Sequence, residues 1–330
     1  MIIIENKIKI PKYKQIVNSI EELIISGLLK KGDQIPSINK IKTDNNLSRD
    51  TVLTALNELK NRGIIQSIVG KGYYVSSENI EVRQKVFLLF DELNSFKEDL
   101  YNSFLEYLGN NVQVEIYFHH FNKNSFRRLI EDNAGNYNYY VIMPANMMNT
   151  NDFLKMLPSD RVYILDQIHE DLSEYPAIYQ NFEKIIFDNL NKAYDLIKKY
   201  EKIILVFSED KQPQGMLKGF REFCESKTFN YEIINDMQDK NIEKSELFII
   251  PDDMSLLKLI KKMKQKGFVL AKDVGVISYN DTLLKEIVEG GITTISTDFD
   301  AMGKRLAEMI LNKERIQIEN PHHLIIRNSL

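Results

Sequence analysis

From residue 86 onward the chain alternates between two textures. Short β-rich apolar runs stand at VFLLF (86–90), VEIYF (114–118), YYVIMP (139–144), RVYIL (161–165), KIILVF (202–207), LFIIP (247–251) and VGVIS (274–278). Helix-like segments fall at 95–108, 124–134, 150–157, 182–200, 214–226, 254–266 and 301–312. Seven such alternations restrict this region to an α/β fold with parallel sheets. The runs are apolar at nearly every position, as strands covered on both faces must be. The region fits one Rossmann-type sheet or two lobes. In either, ligands bind beyond the carboxyl ends of the strands.

The first 79 residues read differently. They hold twelve Lys/Arg and eight Asp/Glu, whereas the remainder holds 31 and 39. A basic module on an acidic body suits an anionic partner confined to one end. Pro11 precedes a helix with apolar positions Ile16, Ile20, Leu23 and Ile24, ending near Gly27. Ser37 caps a second helix over Ile38 to Asn45. Ser48 caps a third, with Asp50 and Thr51 in its first turn and Val52, Leu53, Leu56 and Leu59 on one side. Gly63 ends it after Lys60 and Arg62. Gly70-Lys71-Gly72 then tips a hairpin that runs into Tyr73-Tyr74-Val75. Short helices, a tight turn and a β wing make a winged helix-turn-helix.

The segments PKYKQIVNSIEELIISGLLKKGDQIPS, LSRDTVLTALNELKNRGII and GKGYYV, in that order and spacing, resemble the GntR family of bacterial repressors. The resemblance implies that Ser37, Lys40 and Ser48 meet the DNA backbone. It also implies that Arg49 and Thr51 lie at the major groove and that Lys71 and Gly72 reach the minor groove. Arg49 can be bidentate to a guanine edge, and glycines let a wing backbone approach phosphates. Asn39 stands where the family usually has arginine, and Leu53 where a basic residue is common in helix three.

Polar residues follow the strand runs of the larger region. They include Asp91 to Phe96, Asn146, Asp166-Gln167, Asp252-Asp253 and Tyr279-Asn280-Asp281. Short amides and carboxylates near an aromatic ring suit sugar recognition. The same residues cap helices, so capping is the competing explanation at each position. DVGVISYNDTLLKEIVEGGITTISTDFDAMGKRLAEMIL and the DELNSF loop resemble the regulatory domain of LacI/GalR repressors, which is similar to type I periplasmic sugar-binding proteins. That resemblance implies two α/β lobes joined by three crossovers with a ligand between them. It points to Asp91, Asn94, Phe96, Asn146, Gln180, Phe182, Asp252, Asp253, Asn280 and Thr297 as ligand-binding residues. Met216 stands where the family often has a sugar-binding arginine.

The expected organisation is a winged helix-turn-helix over 1–77, a linker over 78–84 and an effector-binding and dimerisation domain over 85–330. Lobe 1 is expected over about 85–176 and 297–318, and lobe 2 over about 177–296. The expected function is a transcriptional regulator whose homodimer binds double-stranded operator DNA and answers a small-molecule effector, a monosaccharide. Two alternatives stand beside it: the same regulator sensing a nucleobase, amino acid or peptide, and a sugar-modifying Rossmann-like enzyme. Against the enzyme, the sequence has no P-loop, no GxGxxG and no Gly-x-Ser-x-Gly, so no catalytic residue and no cofactor is assigned. His119-His120 and His322-His323 are neighbours that point to opposite faces of a strand, so no metal site is expected. The single Cys224, the charged N-terminus and the lack of a long apolar run lead to the expectation of a cytoplasmic protein without a membrane span.

Overall fold

A computed structural model of the 330-residue chain describes all residues except 1, 3, 5–9, 62–63, 78–83 and 110–111. The expected helix stop at Arg62-Gly63 and nearly all of the expected linker lie outside the described residues.

The N-terminal module comprises α1 (Lys12–Ile25), α2 (Ile38–Asn45), α3 (Arg49–Asn61), β1 (Ile65–Ile68) and β2 (Gly72–Val75). Its core is made of Ile16, Ile20, Ile41, Val52, Leu56 and Leu59, the positions that the helical spacing puts on one face. Ser37 Oγ accepts the Lys40 amide at 3.2 Å, which starts α2. Asn46, at φ 51°, ends it, because asparagine tolerates the left-handed region. The hairpin pairs Ile65 with Val75 through Ile68 with Gly72. Gly70 and Gly72 sit at φ 74° and 108°, so the tip needs residues without a Cβ.

The body continues with β3 (Gln84–Phe90), α4 (Ser95–Leu108), β4 (Val112–Phe118), α5 (Lys123–Asn133), β5 (Tyr139–Ile142), α6 (Asn151–Leu154), β6 (Val162–Asp166) and β7 (Ala177–Tyr179). Then come α7 (Phe182–Lys192), α8 (Tyr194–Ile197), β8 (Lys202–Val206), α9 (Gln214–Ser226), β9 (Asn230–Ile234), β10 (Glu246–Ile250) and α10 (Asp253–Lys266). The chain closes with β11 (Val274–Tyr279), α11 (Leu283–Ile287), β12 (Thr293–Thr297), α12 (Phe299–Leu311), β13 (Gln317–Glu319) and β14 (His322–Ile325). All seven apolar runs of the sequence fall on strands. The expected helix over 150–157 shrinks to α6, and that over 182–200 divides at Ala193 into α7 and α8.

The strands form two six-stranded sheets, ordered β13-β7-β6-β5-β3-β4 and β14-β12-β11-β10-β8-β9. Pairing is parallel throughout except where β14 runs antiparallel to β12. The architecture is therefore α/β, two parallel lobes behind a winged helix-turn-helix. Helices cover both faces of each sheet, and residues such as Val86, Phe87, Leu88 and Leu89 have no exposed surface.

Strand membership gives the course of the chain between the two sheets. β7 extends the first sheet through Ile164↔Ala177, so the first sheet runs to Tyr179, close to the expected end of lobe 1 at about 176. β12 ends at Thr297 in the second sheet, β13 returns to the first, and β14 joins the second again. The three crossings are tied together. The Asn320 amide donates to Tyr179 O at 2.8 Å, and its side-chain amide donates to Asp298 O at 2.9 Å. The N-terminal module meets lobe 1 through α1. Lys14 Nζ donates to Asn136 Oδ1 at 2.8 Å, and Glu22 lies 3.8 Å from Arg161, the residue before β6.

Candidate nucleic-acid interface and effector cavity

Ser37, Lys40, Ser48, Arg49, Lys71 and Gly72 are all exposed, on one helix-turn-helix and the wing tip. The Arg49 side chain opens α3 with no core to satisfy. Thr51 is half-buried, and its hydroxyl lies 2.8 Å from Ser48 Oγ, which also accepts the Thr51 amide at 3.2 Å. That pair caps α3 and engages the hydroxyl expected at the groove. The wing is braced from behind, where Gln34 Nε2 donates to Lys71 O at 2.7 Å. Leu53 is half-buried and, unlike Val52, Leu56 and Leu59, is not part of the module's core.

A cavity of about 540 Å³ lies between the lobes. It opens beyond the carboxyl ends of β3, β6, β8, β10 and β11, where an open parallel sheet leaves its loops free to hold a ligand. Eight of the ten expected ligand residues line it: Asp91, Asn94, Phe96, Gln180, Phe182, Asp252, Asp253 and Asn280. Two do not. Asn146 donates its amide to Glu209 O at 3.2 Å and to Gln212 O at 2.7 Å, so it ties lobe 1 to the loop after β8. Thr297 turns its hydroxyl to Gln180 Oε1 at 2.5 Å, part of the crossing rather than of the lining.

Capping and lining coexist. Asn94 accepts the Lys97 amide at 3.2 Å and Asp252 the Ser255 amide at 2.8 Å, yet both side chains border the cavity. Phe96 stacks on Phe299 with ring centroids 4.8 Å apart, which fixes an aromatic face in the wall. Gln180 sits at the centre of a bonded chain. Its Oε1 accepts from Tyr279 Oη at 3.0 Å and from Thr297, and its Nε2 donates to Asp166 Oδ1 at 2.6 Å. One side chain at the first crossing thus joins β6 of lobe 1 to β11 and β12 of lobe 2.

Asp166 is 8% exposed, and burial pushes its carboxyl up to about 6, with Lys97 and the Gln180 amide pulling the other way. Lys97, itself buried, forms an ion pair with Asp91. Lys285 is 1% exposed. It donates to Tyr279 O at 2.6 Å and Asn280 O at 2.7 Å and lies 3.1 Å from Asp253, and burial lowers it below its ordinary value. Asn280, at φ 60°, presents a buried Oδ1 that has no hydrogen-bond partner among the described residues. A buried acceptor without a donor is costly, and a ligand hydroxyl or amine satisfies it.

Lys97 and Lys285 carry no sequence signal of their own, because each pairing is made by tertiary approach. Asp166 and Tyr279 stood at strand ends in the sequence and are now seen in the wall. Among the described residues no group of three or more His, Cys, Asp or Glu is placed to hold a metal ion, and no helix is long and apolar enough to cross a membrane.

Comparison with known proteins matches these two parts separately. Residues 12–75 match the model for bacterial regulatory proteins of the gntR family, and residues 196–330 match a periplasmic binding protein-like domain. The chain is 35% identical over 100 residues to the HTH-type transcriptional repressor YtrA of Bacillus subtilis (strain 168), covering 30% of this chain and 73% of that protein. It is 22% identical to the arabinose metabolism transcriptional repressor of Geobacillus stearothermophilus, covering 97% and 96% of the two chains. The body shares its fold with a periplasmic binding protein/LacI transcriptional regulator from Alkaliphilus metalliredigens QYMF, solved with D-xylulofuranose. That match has a TM-score of 0.62 at 15% identity and covers 74% of this chain and 98% of the other. With a winged helix-turn-helix ahead of a periplasmic-binding-protein-like body, the chain is a DNA-binding transcriptional regulator and belongs to the gntR family of bacterial regulatory proteins.

Proposed function

We propose that this regulator is a homodimer whose affinity for operator DNA is set by a monosaccharide bound between the two lobes. The observation that carries the reading is the interlobe cavity, where the Asn280 acceptor lacks a donor beside a wall of carboxylates, amides and an aromatic face. Hydroxyl groups meet acceptors of this kind, and a ring face suits the C–H side of a sugar. The names of the arabinose repressor and of the D-xylulofuranose complex support a pentose as the first candidate. Ser37, Lys40, Ser48, Arg49, Thr51, Lys71 and Gly72 are the proposed DNA contacts, within a DNA-binding domain over 1–77, a linker over 78–84 and an effector and dimerisation domain from 85.

Effector and DNA sites are joined by a short physical route. Asp166 ends β6 at the cavity, and Arg161, just before the same strand, meets Glu22 of α1. Closing the lobes on a ligand would shift one end of that strand and, in a dimer, the spacing of two recognition helices. The relatives compared above are transcriptional repressors, which favours regulation over turnover.

Thermal unfolding of the full chain against free pentoses and hexoses tests the reading. A true effector at 100 times its dissociation constant raises stability by about 2.7 kcal/mol, a readable shift in Tm. No shift with any sugar, beside a shift with a nucleobase, amino acid or peptide, would replace the effector class. Light scattering that finds a monomer both free and on DNA would remove the dimer.

A further inference from the structure

We infer that the interlobe cavity selects an uncharged, hydroxyl-rich sugar and turns away the phosphorylated or carboxylated forms of the same sugar; this rests on the reading of the cavity as an effector site.

The charges on the wall are the first observation. Among the described lining residues the cations are Lys97, Lys211 and Lys285, and there is no arginine or histidine. Each lysine is already engaged. Lys97 pairs with Asp91 in a buried ion pair. Lys285 pairs with Asp253 and spends its other protons on two backbone carbonyls. Lys211 lies 3.7 Å from Glu92. Three further carboxylates, Asp166, Asp236 and Asp252, also line the cavity, and none has a lysine or arginine within ion-pair distance among the described residues. A phosphate or carboxylate entering here meets unpaired negative charge and finds no uncommitted cation. At Lys97 or Lys285 it would have to displace the partner of a buried cation, and at Lys211 it would compete with Glu92 for an exposed lysine.

Hydrogen-bond polarity points the same way. Among the described residues, the cavity-lining buried atom left unpartnered is an acceptor, Oδ1 of Asn280, a residue 8% exposed. Carboxylates accept only. Sugar hydroxyls bring donors to such a wall, whereas a phosphate dianion brings acceptors.

Helix N-termini are the usual remedy for a bound anion, since their free N–H groups and dipole favour negative charge. Here they are occupied. Asn94, Asn181 and Asp252 accept the amides of Lys97, Lys184 and Ser255, capping α4, α7 and α10. Those first turns also carry Glu98, Glu183 and Asp253. α9, after Pro213, starts without a side-chain cap, and its first turn sets apolar Met216 into the wall.

Calorimetric titration of the full chain with matched triplets tests this: a free sugar, its terminal phosphate ester and its aldonate, beginning with the L-arabinose and D-xylulose sets. At least one free sugar is expected to bind, with its two anionic forms weaker by about tenfold or more, the scale of one unscreened like-charge contact. Asp166→Asn and Asp236→Asn, which remove charge while keeping size, should each narrow that gap. Asp236 is exposed, so its variant keeps the test open if Asp166→Asn misfolds. An anionic form that binds as tightly as the free sugar, or better, overturns the inference and leaves the effector site standing. A gap unchanged in both folded variants overturns its origin in the carboxylates. Binding by no member of any triplet overturns the effector-site reading and this inference with it.

Discussion

Asp166 ends β6 at φ 73°, nine-tenths buried, with the Gln180 amide as its donor and the Asp91–Lys97 pair nearby. Its pH dependence follows from linkage. The folded protein keeps this proton up to about pH 6, whereas the unfolded chain releases it near the ordinary carboxyl value of 3.8. The group therefore stabilises the fold fully below about pH 4, and that contribution is lost as pH rises through 6. The size is on the order of 3 kcal/mol. Asp166→Asn keeps an acceptor for Gln180 and cannot ionise, so its Tm should fall less between pH 4 and 7 than that of the parent. Parallel curves for the two proteins would show that Asp166 is solvated in solution. At the other end of the chain, Arg49→Ala should weaken specific operator binding by about 1–3 kcal/mol, measured by fluorescence anisotropy. The same operator affinity in the variant would remove Arg49 from base reading. Thr51 has less to lose, since its hydroxyl already serves Ser48.

At the scale of elements, helix contacts inside each lobe are closer than side chains normally permit. A Cβ on Gly303 of α12 would run into the Leu100 carbonyl of α4, and one on Gly219 of α9 into the Glu183 carbonyl of α7. Gly303→Ala should therefore cost about 1–3 kcal/mol by overpacking, read as a lower denaturation midpoint with an unchanged slope. A neutral result would mean that the two helices slide apart freely. The sequence made much of this level legible. The apolar run Val86 to Phe90 is β3, and the alternation that places it also dictates the parallel sheet. Ser37 and Asp252 were readable as caps because a helix start has local chemistry. Short strands were not readable. β7 and β13 have three residues each, and they pair across about 140 positions of sequence, Gln317 with Ala177. No local pattern marks such a pairing, which is why neither strand was among the apolar runs of the sequence. The cavity was legible where strand ends carry Asp or Asn. It was not legible at Lys97 and Lys285, whose roles come from partners supplied by folding.

At the scale of the whole molecule, the cavity and the recognition helix communicate only if something rigid joins them. The contact of Glu22 with Arg161 is the join that meets the root of β6, the strand whose other end reaches the cavity, and a route in space is not yet a coupling. Arg161→Ala should leave sugar affinity and effector-free DNA affinity close to the parent's while shrinking the change that sugar produces. An undiminished change would place the coupling elsewhere, in the dimer contact. The most direct measurement is a DNA titration with the intact protein. An operator fragment selected from random duplexes is titrated with and without a saturating free sugar that calorimetry has shown to bind. The proposed mechanism predicts that the sugar shifts the operator Kd by tenfold or more, about 1.4 kcal/mol of coupling, while nonspecific binding stays put. An operator Kd that does not move while the cavity is demonstrably full would contradict it.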